Sequence, residues 1–277
     1  GSETDIVNKE MYSWIDQGGK SLTLRPELTA PVTRAYIQHE LGKSNPINKL
    51  YYIDSLFRRE RPQKGRQRQF HQFGVEVFGS EFPEQDSEII IMAVKFLESL
   101  GLKDISLEIN TIGSKSIRNK YICVLQDLLG KYKHDLSDTD QQRLSKNPLR
   151  LFDSKDPKCQ AMLDEYAPTI YDYISKEDKE HFSIVCRILD DLGIPYLHNH
   201  KLVRGLDYYT HTTFEIKSNT IGSQDAICGG GRYDGLVEQL GGPSTPAVGF
   251  AAGIERIIMA LDERVNEQSL DVFIVTL

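Results

Sequence analysis

The apolar positions of the chain follow two rhythms. Residues 50–57 (LYYIDSLF) and 69–78 (QFHQFGVEVF) read as two strands joined by a long basic loop that contains Pro62 and Gly65, both chain-turning residues. In the second strand a period of two puts Phe70, Gln72, Gly74 and Glu76 on one face and His71, Phe73, Val75 and Val77 on the other. The first face offers an aromatic plate, an amide and a carboxylate, with a gap at Gly74 where something can approach the backbone. Residues 86–100 carry Ile90, Ala93, Val94, Leu97 and Leu100 at helical spacing and stop at Gly101; residues 105–110 alternate as a strand closed by Gly113. Upstream, Gly18-Gly19 marks a turn and residues 21–24 a short strand. Pro26 and Pro31 mark a strand-to-helix junction, where Thr29 is expected to cap a helix beginning near Pro31.

From residue 114 to about 200 the character changes to helical. Ile117, Tyr121, Leu125, Leu128 and Leu129 form one stripe, and Phe182, Val185, Leu189 and Leu192 another, stopped by Gly193 and Pro195. The turn-rich NPLRLFDSKD lies between them. This block reads as a small helical insertion with no catalytic constellation. His198 and His200, either side of Asn199, read as surface histidines and not as metal ligands. Residues 202–216 (LVRGLDYYTHTTFEI) return to a strand pattern with a turn at Gly205. Tyr208 and Tyr209 are expected on opposite faces, with His211, Thr213 and Glu215 on the side of Tyr209. The three glycines of CGGGRYDGL require a ligand or another backbone close by, and the segment matches neither a dinucleotide-binding glycine pattern nor a phosphate-binding loop. AVGFAAGIERIIMAL is a strand running into a helix with Arg256 in its first turn, where a cation is unfavourable without an anionic partner. Residues 270–277 (LDVFIVTL) form a fresh apolar strand.

Composition narrows the partners. At 277 residues, 39% hydrophobic and 26% charged, the chain is ordinary globular protein, neither disordered nor fibrous. Its net charge of −7 means that a nucleic acid would be held by a local basic patch and not by a basic whole. The loop is such a patch: from Arg58 to Arg68, five Arg and one Lys face one Glu, a net +5. A cationic hairpin beside a polar face suits a ligand with phosphates and an amine. Four scattered cysteines without a C-x-x-C pair argue against a structural zinc site or a disulfide framework. No apolar run reaches the roughly 18–20 residues of a membrane span, and a soluble intracellular protein is expected. On its own, Glu27 reads as an ordinary first-turn carboxylate favoured by the helix dipole.

The pattern F-R-x-E, a basic loop, then R-Q-F-H-Q-x-G-x-E resembles motif 2 of class II aminoacyl-tRNA synthetases, in the form seen in histidyl-tRNA synthetases. LRPELTA, LVRGLDYYTHTTFE, GGGRYDGL and GFAAGIERI are similar to further signatures of that family, in its order, over nearly the whole chain. The resemblance implies an α+β fold: the class II antiparallel sheet flanked by helices, with a helical insertion domain. It divides the chain into a catalytic core (1–113 and 201–265), an insertion domain (114–200) and the start of a further domain (266–277). Family motif 1 and the anticodon-binding domain are expected before and after this stretch.

The implied activity is that of a histidine–tRNA ligase: histidine and ATP form histidyl-adenylate and pyrophosphate, and histidine passes to the 3′ end of its tRNA. Arg58, Arg204 and Arg256 would be catalytic. Glu27, Thr29, Gln72, Glu76, Tyr208 and Tyr209 would hold L-histidine, with Glu76 and Tyr209 on the imidazole. Arg58, Arg66, Phe70 and Arg256 would hold ATP, Phe70 stacking on adenine, and Gly229–Gly231 would let backbone approach the histidyl group. Gln63, Lys64 and Arg68 would meet the tRNA acceptor end. The resemblance further implies Mg2+ carried with ATP, no dedicated protein metal site, no membrane association, a cytoplasmic location and a homodimer in the full-length protein. The alternative is a catalytically silent relative, either a regulatory subunit or a tRNA or histidine sensor; retention of the three arginines and of the Gln72–Glu76 face speaks for the enzyme.

Overall fold

A computed structural model describes residues 10–204, 206–222 and 225–261. The expected turn at Gly205 and the expected strand at 270–277 lie outside the described residues. A small hairpin, β1 (Ser13–Ile15) and β2 (Ser21–Thr23), leads into α1 (Thr29–Gln38) and a short α2 (Leu41–Ser44). Helix α1 starts earlier than the prolines suggest. Its N-cap is Leu28, and the carboxylate of Glu27 accepts from Ala30 N at 3.1 and 3.2 Å. Thr29 is therefore the first helical residue and not the cap, which frees its hydroxyl for another partner.

The basic loop joins β3 (Asn48–Phe57) to β4 (Gln69–Phe78), paired antiparallel with Tyr52 opposite Gly74. After α3 (Pro83–Ser99) and β5 (Ile105–Thr111), the helical block supplies α4 (Lys115–Leu129), α5 (Asp138–Lys146), α6 (Pro157–Tyr166) and α7 (Lys176–Asp191). Then come β6 (Leu197–His198), β7 (Thr210–Ser218), β8 (Ala226–Arg232), α8 (Leu236–Gln239), β9 (Ala247–Gly253) and α9 (Ile254–Ala260). Seven strands form one sheet in the order β3-β4-β9-β8-β7-β5-β6, antiparallel throughout except for the two-residue parallel addition of β6.

Pro83 at the start of α3 and Glu84 and Asp86 in its first turn suit a helix N-terminus; Gly101, at φ 95°, ends it in the left-handed conformation that glycine adopts without strain. Its buried stripe, Ile89, Ile90, Ala93, Val94 and Leu97, covers one side of the sheet together with Phe182, Val185 and Leu189 of α7. Val77 shares that core, and Phe73 and Val75 pack against it, so β4 turns its other face, with Phe70 and Gln72, to the opposite side. Helices α4–α6 and the 3-10 turn Pro148–Asp153 build a second core around Tyr121, Leu125, Leu151 and Leu163, which runs on to Tyr209 and Tyr233 beneath that opposite face.

Three expectations change. Strand β7 begins only at Thr210, and the preceding residues 206–209 form a turn, so strict alternation does not apply to the two tyrosines. Tyr208 and Tyr209 lie side by side, ring centroids 4.8 Å apart. His198 is half-buried and not a surface residue: its ring lies tilted against Phe182 with centroids 4.9 Å apart, and burial with the neighbouring His200 lowers its pKa to about 4. No cluster of three or more His, Cys, Asp or Glu able to hold a metal occurs among the described residues.

Candidate active site

The free face of β4, β9, β8 and β7 floors a cleft of about 200 Å³, or about 990 Å³ with its open mouth included. One end belongs to the basic loop. Arg58 donates Nε to Pro26 O at 2.8 Å and stands 5.1 Å over the ring of Phe70. Arg256 donates Nε to Gly65 O and Nη1 to Ala226 O, each at 2.7 Å, tying the loop to β8. Arg204 reaches in from the opposite wall, its Nη1 2.5 Å from Glu215 Oε1 and its guanidinium 5.7 Å from the Tyr209 ring. Burial alone would lower the Arg204 pKa, but the charge of Glu215 and the adjoining Tyr209 hold it raised. Arg256 goes the other way: burial and the charges of Arg66 and Arg58 lower it, against the pull of Glu60. The crowded guanidiniums repel one another, a repulsion that a polyanion between them would relieve.

The other end is acidic and phenolic. Burial raises the pKa of Tyr52, Tyr208 and Tyr209, so all three are neutral donors at physiological pH. Burial likewise raises Glu27, against its backbone hydrogen bonds to Ala30 and Thr29. Glu76 is 1% exposed and lies behind the cleft wall. Thr29 Oγ1 donates to it at 2.7 Å and the Tyr233 hydroxyl at 2.5 Å. Burial pushes Glu76 up to about 8 despite these two bonds, and the nearby Glu27 charge adds to the rise. Among the described residues, three buried polar atoms of the cleft residues have no hydrogen-bond partner: Tyr52 OH, Arg204 Nε and Glu60 Oε2, the last ion-paired with Arg66; for the first two this is costly unless a ligand or water supplies a partner.

The family model for histidyl-tRNA synthetases matches residues 1–257. The chain belongs to the histidyl-tRNA synthetase family. It is 52% identical over 264 residues to a histidine–tRNA ligase of Thermosynechococcus vestitus, covering 95% of this chain and 61% of that protein. It is 50% identical over 278 residues to the chloroplastic histidine–tRNA ligase of Gracilaria tenuistipitata var. liui, covering 100% and 66%. Among solved structures it resembles the apo S. aureus histidyl-tRNA synthetase, with a TM-score of 0.72 and 42% identity over 91% of this chain and 61% of that one. The chain thus spans about three fifths to two thirds of the length of these relatives.

Within this synthetase fold, the cleft brings together Glu27, Thr29, Gln72, Tyr208 and Tyr209 at one end and Arg58, Arg66, Phe70, Arg204 and Arg256 at the other. Glu76 stands one layer back, reaching the cleft through Thr29. Gln63, Lys64 and Arg68 are exposed on the loop and outside the lining. The glycines of β8 serve the protein's own packing. A side chain at Gly229 would meet the Arg204 guanidinium at 2.6 Å, one at Gly230 would meet the Phe250 side chain at 2.7 Å, and one at Gly231 would meet the Thr212 carbonyl at 2.5 Å. Only Gly229 lines the cleft. The gap at Gly74 is filled by the Tyr52 phenol.

Sequence reasoning missed Tyr52, Glu60, Glu215 and Tyr233 as members of the site. Tyr52 is legible once the hairpin is closed, because its register partner is Gly74. Tyr233 sits in GGGRYDGL, where the glycines drew the attention. Glu60 counted only as a charge within the loop, yet its carboxylate lies 3.1 Å from Arg66 Nε and helps to shape the cationic end.

Proposed function

We propose that this chain carries the amino-acid-activating site of a histidine–tRNA ligase, which joins histidine to ATP as histidyl-adenylate and passes histidine to the 3′ end of its tRNA. The observation that carries this reading is the convergence of Arg58, Arg204 and Arg256 on one cleft whose other end is lined by Glu27 and three neutral phenols. The nucleophile is the histidine carboxylate, which attacks the α-phosphorus as pyrophosphate leaves. No side-chain nucleophile is required, so catalysis consists of holding the reactants in line and neutralising charge on a five-coordinate phosphorus. Planar guanidiniums on both sides of that phosphorus suit its oxygens. Arg58 and Arg204 flank the α-phosphate, Phe70 stacks on adenine, and Arg66 and Arg256 meet the remaining phosphates.

The amino group of histidine goes to Glu27 and Thr29 with Gln72 nearby. The imidazole goes to the phenols, with Tyr209 in contact and Glu76 acting from behind Thr29 and Tyr233. A pocket of buried acceptors and donors rejects an apolar amino acid by leaving its own polar groups unpaired. The exposed Gln63, Lys64 and Arg68 are placed for the tRNA acceptor end. Mg2+ would come with ATP, held mainly by the substrate's phosphate oxygens. It would offset charge on the leaving pyrophosphate. The full-length protein is read as a cytoplasmic homodimer, and no helix among the described residues is long and apolar enough to cross a membrane.

The test is exchange of labelled pyrophosphate into ATP by the full-length protein. Exchange that depends on histidine is expected. No exchange, or exchange driven equally by another amino acid, would return the protein to the silent regulatory class.

A further inference from the structure

A ring of ionisable groups, closed between Asp178 and His181 only through the backbone of α7, lies beneath the phenolic end and takes no part in the chemistry above. Asp86 on α3 receives Arg232 of β8 through Nε at 3.0 Å and also through Nη2. Arg232 Nη1 is 3.1 Å from Asp234 in the turn after β8. His211 at the start of β7 follows, its Nε2 3.8 Å from Asp234 and its Nδ1 3.0 Å from Asp178 on α7. Three residues along α7, His181 returns to Asp86 at 2.7 Å. Acid and base alternate around all six positions. Three carboxylates face one guanidinium and two imidazoles. Arg232 and Asp86 are 1% and 0% exposed, so the ring is anchored in the core.

His211 is the member with a strained backbone. Its φ is 47°, a left-handed value shared among the described non-glycine residues only with Glu40. The conformation is held by His211 N donating to Gly113 O at 2.8 Å and Ile112 N donating to His211 O at 2.9 Å. It coincides with the register shift in which Thr210 pairs with Arg232 but Thr213 pairs with Gly231. That shift brings the chain from β7 into the turn carrying Tyr208 and Tyr209. Asp234, across the ring, directly follows Tyr233, whose ring is 5.6 Å from that of Tyr208. His211 therefore joins the segment that carries the cleft's Tyr208 and Tyr209 to the one that carries the buried Tyr233 behind them, and fastens both to α7.

We propose that His211 is a positioning residue for the amino-acid end of the cleft: through Asp178 and Asp234 it fixes the spacing of Tyr208 and Tyr209 relative to Tyr233 and Glu76, and so sets histidine affinity without touching histidine. The proposal rests on the reading of that end as the histidine pocket. A residue that only supports folding would, when changed, reduce stability and the active fraction and leave the affinity of the folded molecules intact. A positioning residue changes histidine affinity selectively, because the arginine-lined end is anchored by other groups.

The experiment is calorimetric titration of the full-length protein with histidine and, separately, with ATP, for the parent, His211→Asn and Asp178→Asn. Asparagine tolerates the left-handed backbone but is too short to span from Asp178 to Asp234, and Asp178→Asn weakens the same contact from α7 by removing its carboxylate charge, without altering β7. Both variants are expected to bind histidine about tenfold more weakly, a loss typical of removing a supporting partner, with ATP affinity within twofold of the parent. Histidine affinity kept within twofold in the folded fraction of either variant would overturn the proposal, as would equal weakening of histidine and ATP. Should one variant fail to fold, the other decides; should both fail, the ring is structural and the proposal falls. A parent that binds ATP but no histidine would instead overturn the reading of the pocket.

Discussion

The two ends of the cleft hold charge in opposite ways. At the loop end the charge is carried by guanidiniums, and burial together with the charges of Arg66 and Arg58 lowers the pKa of Arg256. At the phenol end, the most deeply buried acid, Glu76, has its pKa pushed up to about 8, so it is largely protonated at neutral pH and sits among neutral hydroxyls. The difference shows how a single sheet face can take both halves of a mixed substrate. Permanent charge meets phosphate, which is always an anion. Titratable, buried polarity meets an imidazole, whose own charge varies and which must be told apart from apolar side chains.

Three substitutions would break or sharpen this contrast. The largest effect is expected at Arg204. Changing it to Ala should slow adenylate formation about a thousandfold, in line with loss of a donor aimed at transition-state charge, while histidine affinity is spared. Rapid-quench kinetics reading a near-normal kcat would remove Arg204 from the transition state. Next is Gly229→Ala, whose added methyl would lie against the Arg204 guanidinium. Displacing that group by about 1 Å should cost about a hundredfold in kcat, with both substrate affinities little changed. An unchanged kcat would show that the arginine has room to adjust.

How far the site was legible before the structure follows the same contrast. The arginines could be placed because guanidinium carries its chemistry wherever it stands, and the period-two pattern of the hairpin fixed which face Phe70 and Gln72 share. The phenol end was harder, because its behaviour comes from burial and register. Thr29 looked like a helix cap, yet Glu27 accepts the Ala30 N–H, and the Thr29 hydroxyl turns to Glu76. Tyr208 and Tyr209 looked opposed, yet the chain enters β7 through a turn and a register shift that no local periodicity encodes. The glycine run was rightly read as a close approach, but what approaches is Arg204 and the neighbouring strands. The α+β architecture followed from the family signatures, with which the order of strand-like and helix-like segments agrees. The parallel edge strand β6 was too short to signal itself.

The smallest of the three effects is expected for Glu76→Gln, which should weaken histidine binding about tenfold, as loss of a supporting partner does, and leave ATP affinity unchanged. The same variant tests the protonation argument through stability. With a folded pKa of about 8 against an ordinary value of 4.5, the native state holds an extra proton between those two pH values. Its contribution to stability is fully present below pH 4.5 and is lost as pH rises through about 8, by linkage. Urea unfolding of the parent should show that decline, and Glu76→Gln should flatten it. Equal slopes in parent and variant would mean that Glu76 is ionised in the folded protein at neutral pH.

The most direct test of the central claim is a crystal structure of the full-length protein with histidine and a non-hydrolysable ATP analogue. Arg58 and Arg204 should each lie within hydrogen-bonding distance, about 3 Å, of oxygens on the α-phosphate, with Arg256 on the same nucleotide and the imidazole against Tyr209. Phosphates bound away from these guanidiniums, or an amino acid lying outside the phenol-lined end, would contradict the account.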